Sequence, residues 1–220
     1  MKKGGISMFT VKTDSILGYK EMEIPFTLLS TNENSKKIAI LLPGAGYTVQ
    51  APLLHYSTGV FLNKSFDVLQ VNYSYNNFYD NLSMDEIAEA IKHDVRAVID
   101  KVLNNNSYEY FYLIGKSLGT IAMTSELKRE KFSNAKTVWL TPLLQRDDVF
   151  ETILKSKNRG LCFIGDNDRH YNAERYKQLV NNTNIVSRLF PNANHSLQYE
   201  SDPVNSIDVL KSVIKEINEF

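Results

Sequence analysis

Apolar residues along this chain gather in short runs, and the segments between them repeat their apolar positions every three or four residues. The runs at 38–42, 66–73, 108–114, 136–140, 160–164 and 185–190 have strand length and little polar alternation, the pattern of strands buried on both faces. Earlier, 6–13 and 21–30 read as two strands joined around Gly18, an antiparallel edge. Helical spacing is clearest after Ser83-Met84-Asp85-Glu86, a capping box followed by Ile87, Ile91, Val95, Val98 and Val102. Further helices are predicted over 52–64, after residue 119, over 148–155 and over 171–181. A closing helix has Asp202 as N-cap and Pro203 at its first position, and its predicted buried face is Ile207, Leu210, Ile214 and Ile217. Strands alternating with helices predict an α/β fold, a mostly parallel twisted sheet with helices on both faces.

Composition narrows this picture. A chain of 220 residues is read as a single domain, 1–220. Lys+Arg and Asp+Glu number 25 each, so neither a nucleic-acid partner nor an anionic membrane surface is expected. The one cysteine, Cys162, lies in an apolar run and fits a reducing compartment. Lys2 and Lys3 are followed by no apolar stretch of signal-peptide type, and the expected location is cytoplasmic. The four histidines are far apart and no HExxH or clustered Cys/His spacing occurs, so neither a metal nor another cofactor is expected.

The chemistry concentrates at strand ends. Residues 108–114 lead into Gly115-Lys116-Ser117-Leu118-Gly119 and then a helix, the strand–turn–helix context of a nucleophile elbow. A serine hydroxyl needs a neighbouring base to become nucleophilic, so it must project from the sheet into a cleft. Bulk at Gly115 or Gly119 would crowd the helix against the strand. The Leu118 amide, at a helix N-terminus, is placed to meet a developing negative charge. A second small-residue ending, Pro43-Gly44-Ala45-Gly46-Tyr47, lets backbone amides approach a ligand closely. His55, His93, His170 and His195 are candidates for the base, and Asp168, Asp166, Asp147 and Asp148 for the acid that orients it.

Ser117, Asp168 and His195 stand at three strand ends in the order serine, acid, histidine. With Gly-Lys-Ser-Leu-Gly, the Gly-x-x-Asp of Gly165 to Asp168 and the Asn-His-Ser of 194–196, the chain resembles the α/β-hydrolases over nearly its whole length. Its compact size is similar to that of the small, lidless serine hydrolases near the dienelactone-hydrolase branch. It departs from many members in having Pro43-Gly44 where they have His-Gly. The resemblance implies Ser117 as nucleophile, His195 as base, Asp168 as its orienting acid, and the N–H groups of Leu118 and Ala45 as oxyanion donors, with Gly46 as the alternative to Ala45. Tyr47, Tyr75 and Tyr79 are candidates to line the substrate pocket. About 20 residues separate the strands at 136 and 160, which leaves no room for a large lid. The expected substrate is a small carboxylic ester or thioester. An acyltransferase, a peptidase or a non-catalytic small-molecule receptor on the same scaffold are the alternatives.

Overall fold

The structure, a computed structural model, describes residues 9–32, 34–73 and 82–220. Its centre is built from the apolar runs. Strands β3 (Lys37–Leu42), β4 (Asp67–Val71), β5 (Tyr110–Lys116), β6 (Lys136–Leu140) and β7 (Gly160–Gly165) are almost wholly buried, because helices cover both faces of the sheet. An antiparallel pair, β1 (Thr10–Leu17) and β2 (Glu23–Ser30), forms one edge, and β8 (Ile185–Phe190) forms the other. The order is β1-β2-β4-β3-β5-β6-β7-β8, with β2 antiparallel to β4 and every pairing from β4 to β8 parallel. The first strand runs on to Leu17, beyond the 13 expected, and pairs with β2 around Gly18, while residues 6–8 of the expected strand lie outside the described residues.

One apolar layer lies between the sheet and α2 (Met84–Asn104), α3 (Gly119–Glu126) and α4 (Asp147–Leu154), and α5 (Ala173–Leu179) adds Leu179 to it. The opposite layer lies between the sheet and α1 (Pro52–Asn63) and α6 (Pro203–Glu219). The capping box at the start of α2 is formed in both directions: Ser83 Oγ accepts from the Glu86 amide at 3.2 Å, and the Glu86 carboxylate accepts from the Ser83 amide at 2.9 Å. Asp202 caps α6 by accepting from the Asn205 amide at 3.0 Å.

The predicted face of α6 holds at Ile217, which is buried, and at Leu210 and Ile214, which are half-buried against the same layer, and needs correction at Ile207. The helix's buried stripe is Ser206, Val209, Val213 and Ile217, and Ile207 is 62% exposed. Ser206 is accommodated because its hydroxyl accepts from the Tyr199 amide at 2.8 Å and donates to the Asp202 carbonyl at 2.7 Å.

The parallel register sets Leu42 beside Gly115, Gly115 beside Trp139, Trp139 beside Cys162, and Cys162 beside Ser187. The loops that follow β3, β5, β7 and β8 therefore open on one rim of the sheet. In an α/β sheet that rim is where ligands bind.

Candidate active site

At the end of β5 the chain turns into α3 within two residues. Ser117 takes a φ of 51°, a left-handed conformation that side chains other than glycine adopt only at a cost. The surroundings hold it there. The Ser117 amide donates to the Leu140 carbonyl at 3.0 Å, and the Ser117 carbonyl accepts from the Thr120 amide at 2.9 Å and from its hydroxyl at 2.6 Å. The helix can start so close to the sheet because Gly119 has no side chain: a Cβ there would lie 2.1 Å from the Leu42 carbonyl oxygen. At Gly115 a Cβ would come within 2.4 Å of the Met123 sulfur.

The loop after β7 presents Asp168, only 4% exposed. Its Oδ1 accepts from the His170 amide at 2.8 Å, and its Oδ2 lies 2.8 Å from His195 Nδ1. His195 comes from the loop after β8. There the Asn194 side chain accepts from the Ser196 and Gln198 amides at 2.9 and 3.2 Å and shapes the turn. On its other side, His195 Nε2 lies 2.7 Å from Ser117 Oγ. A carboxylate can only accept, so the Asp168 contact places the imidazole proton on Nδ1 and leaves Nε2 to receive the serine hydroxyl. Burial is the main reason that the His195 pKa lies below its ordinary value. The hydrogen bond to Asp168 opposes that shift, and the charge of Lys116 adds to it.

No protein-family model and no curated protein sequence matches this chain. Solved structures do match along almost all of it. A protein of unknown function from Agrobacterium tumefaciens, proposed to be an alpha/beta hydrolase, superposes with a TM-score of 0.72 at 19% identity, covering 94% of each chain. An esterase from Pyrococcus furiosus gives 0.69 at 16% identity, over 96% of this chain and 93% of that one. An alpha-beta serine hydrolase homologue from Coxiella burnetii gives 0.68 at 15% identity, over 93% and 96%. This chain has the α/β-hydrolase fold.

Within the α/β-hydrolase fold the competing residues occupy other places. His55 is exposed on α1, and His93 is exposed on α2, where it contacts Asp94 at 3.1 Å. His170 stands edge-on to His195, with ring centres 5.0 Å apart, and it is the His195 ring that contacts Ser117. Asp166 accepts from the Asn192 amide at 2.5 Å, Asp147 pairs with Arg175 at 2.5 Å, and Asp148 with Arg146 at 3.1 Å. Among the described residues, no three His, Cys, Asp or Glu side chains group as a metal ion would require.

The loop after β3 runs alongside the elbow. A Cβ on Gly44 would lie 3.2 Å from Ser117 Cβ, and the Tyr73 hydroxyl donates to the Pro43 carbonyl. The Gly44 amide is used internally, donating to the Tyr47 carbonyl at 3.0 Å. The Leu118 and Ala45 amides donate no hydrogen bond among the described residues. Tyr47 lines a cleft of about 450 Å³ together with Leu53, Asn194, Ser196, Leu197 and Ile207. Its hydroxyl accepts from the Leu53 amide at 2.9 Å, and burial raises its pKa to about 12. Tyr75 and Tyr79 fall outside the described residues.

One neighbour of the site carried no role in the sequence reading. Lys116, the residue before Ser117, is 1% exposed and donates from Nζ to the His195 carbonyl at 2.9 Å. The signal available was a lysine closing an apolar strand that is covered on both faces, where a long apolar residue would be the ordinary occupant.

Proposed function

We propose that this protein is a serine hydrolase that cleaves a small carboxylic ester or thioester through an acyl-enzyme on Ser117. The observation that carries the reading is the continuous chain of contacts from Ser117 Oγ through the His195 ring to Asp168 Oδ2, 2.7 Å and 2.8 Å long. In the first step Ser117 Oγ attacks the acyl carbonyl while Nε2 of His195 takes its proton. The imidazolium formed is stabilised by Asp168, and it returns the proton to the departing alcohol or thiol. A water molecule then attacks the acyl carbonyl while giving a proton to the same nitrogen, and that proton passes to Ser117 Oγ as the bond to the acyl group breaks and the acid leaves.

The tetrahedral oxyanion of each half is assigned to the Leu118 and Ala45 amides. Loss of one such donor typically costs about 3 kcal/mol of barrier. The Leu118 amide directly follows Ser117, Ala45 follows Gly44, whose added Cβ would lie 3.2 Å from Ser117 Cβ, and neither amide has a partner among the described residues, which supports the assignment. The cleft bordered by Tyr47 and by the two neighbours of His195 is the space we assign to the non-reacting part of the substrate. The single, buried Cys162 supports residence in a reducing compartment, and we place the enzyme in the cytoplasm. No helix among the described residues is long and apolar enough to cross a membrane.

The test is turnover of short p-nitrophenyl esters together with labelling by a fluorophosphonate. The wild type should hydrolyse the esters and be labelled at Ser117, and Ser117→Ala should lose at least about 10³-fold in kcat with an unchanged circular dichroism spectrum. A wild type that resists the probe, or a Ser117→Ala variant of undiminished activity, would remove the assignment. The first of these results would point to a non-catalytic receptor.

A further inference from the structure

Side chains alternate along β5, so Gly115 faces α3 while Lys116 points to the other layer, the one that holds Tyr112 and Ile114 of the same strand. There Lys116 Nζ meets two loops at once. It donates to the His195 carbonyl at 2.9 Å, and it lies 4.9 Å from the centre of the Tyr47 ring, a cation–π distance. The backbone of Lys116 leads directly into Ser117. One cation thus touches the loop after β8 that carries the base and the loop after β3 that carries Ala45, from the residue next to the nucleophile.

Packing does not explain this choice. An ammonium costs far more to bury than an apolar chain of equal length. No carboxylate among the described residues forms an ion pair with Lys116, and a methionine would fill the same volume. We propose that Lys116 is a positioning residue, which fixes the His195 and Tyr47 loops against Ser117 and supplies a positive charge that keeps the imidazole free to accept a proton. The inference rests on the serine-hydrolase reading for its catalytic meaning.

The electrostatics run in the same direction. The groups that face Lys116 are Asp168, Arg169 and His170 from the loop after β7, His195 from the loop after β8, and Tyr47 from the loop after β3. Burial brings the Lys116 pKa down to about 7, with Asp168 acting against that shift and Arg169 with it. The charge on Lys116 in turn disfavours imidazolium at His195. Below neutrality, where His195 titrates, Lys116 carries its proton. It is therefore charged over the range in which its charge protects the base.

Two variants separate the hydrogen bond from the charge. Lys116→Met removes both, and Lys116→Gln keeps a donor for the His195 carbonyl without the charge. For Lys116→Met we expect kcat to fall about tenfold or more with KM within about twofold, since orientation and not substrate binding is lost. The His195 ring titration, followed by proton NMR of its carbon-bound hydrogens, should move to higher pH, toward the ordinary 6.5. In Lys116→Gln most of kcat should return while the raised titration remains. The NMR titration needs no substrate, so it tests Lys116 even if the ester-hydrolase assignment fails on Ser117→Ala. Should Lys116→Met not fold, Lys116→Gln carries the same titration. Wild-type kcat with an unmoved His195 midpoint would overturn the proposal. So would a loss of kcat with that midpoint unmoved, which is the mark of a merely structural lysine.

Discussion

The environment of His195 has a consequence for pH. In the proposed mechanism His195 works only as neutral imidazole, and its folded-state pKa lies below 6.5, chiefly because it is buried. With a neutral ester, kcat/KM should hold as pH falls through 6.5 and decline only below it. A pH profile whose acid limb has its midpoint at 6.5 or above would contradict this. The sign carries over to stability. The unfolded imidazole binds its proton near 6.5 while the folded one resists, so the fold loses stability as pH drops through that window. Lys116 acts in the same sense over a higher range, because its folded pKa of about 7 lies well under its unfolded value. Stability gained between the two belongs to the pH range above neutrality. Ser117 adds a strain of its own: its φ of 51° costs about 1–2 kcal/mol, which the elbow's hydrogen bonds must offset.

Among the secondary-structure elements, α3 starts with almost no room to spare against β3. Gly119→Ala would drive a methyl group to within 2.1 Å of the Leu42 carbonyl, so α3 must shift and take the elbow with it. We expect a loss of about 2–4 kcal/mol in denaturant unfolding and at least about tenfold in kcat. Gly46 is the control, since a Cβ there meets nothing within 4 Å, and Gly46→Ala should unfold within about 0.5 kcal/mol of wild type. Equal stability of the two variants would show that the close approach at Gly119 is not a constraint. The elements themselves were largely legible in the sequence. Strands covered on both faces must be apolar throughout, and the runs at 38–42, 108–114, 136–140 and 160–164 could take no other role. The α6 stripe was misread at Ile207 because that residue outweighs Ser206 on any hydropathy count. Two hydrogen bonds settle Ser206 inside, and they involve Tyr199 and Asp202, contacts that periodicity cannot register. That Ser117, Asp168 and His195 would meet was legible for a related reason: each closes a strand whose neighbours could be ordered. Lys116 was not, because its partners come from the loops after β3 and β8, and nothing in the local sequence brings them to it.

For the whole molecule, Cys162 is the natural probe. It lies in β7, flanked by Trp139 of β6 and Ser187 of β8, is 0% exposed, and has its thiol pKa raised to about 12 by burial. Only the thiolate reacts with a disulfide reagent, so labelling in the native state should be slower than that of a free thiol by orders of magnitude. Its rate should follow global opening as denaturant is raised. Rapid native-state labelling would mean that the β6–β8 half opens independently of the rest. That half matters to the site because of how the chain divides its chemistry. Ser117 is supplied by β5, while Asp168 and His195 both arrive after β6, 78 residues further on in the case of His195. The stretch around Lys157, between α4 and β7, is partly exposed and contributes no catalytic group. A backbone break there would leave a mute nucleophile on one fragment and a relay without its hydroxyl on the other. Under the proposed function, recovered turnover on mixing the two would report their reassembly across the β6–β7 seam, making the protein its own complementation reporter.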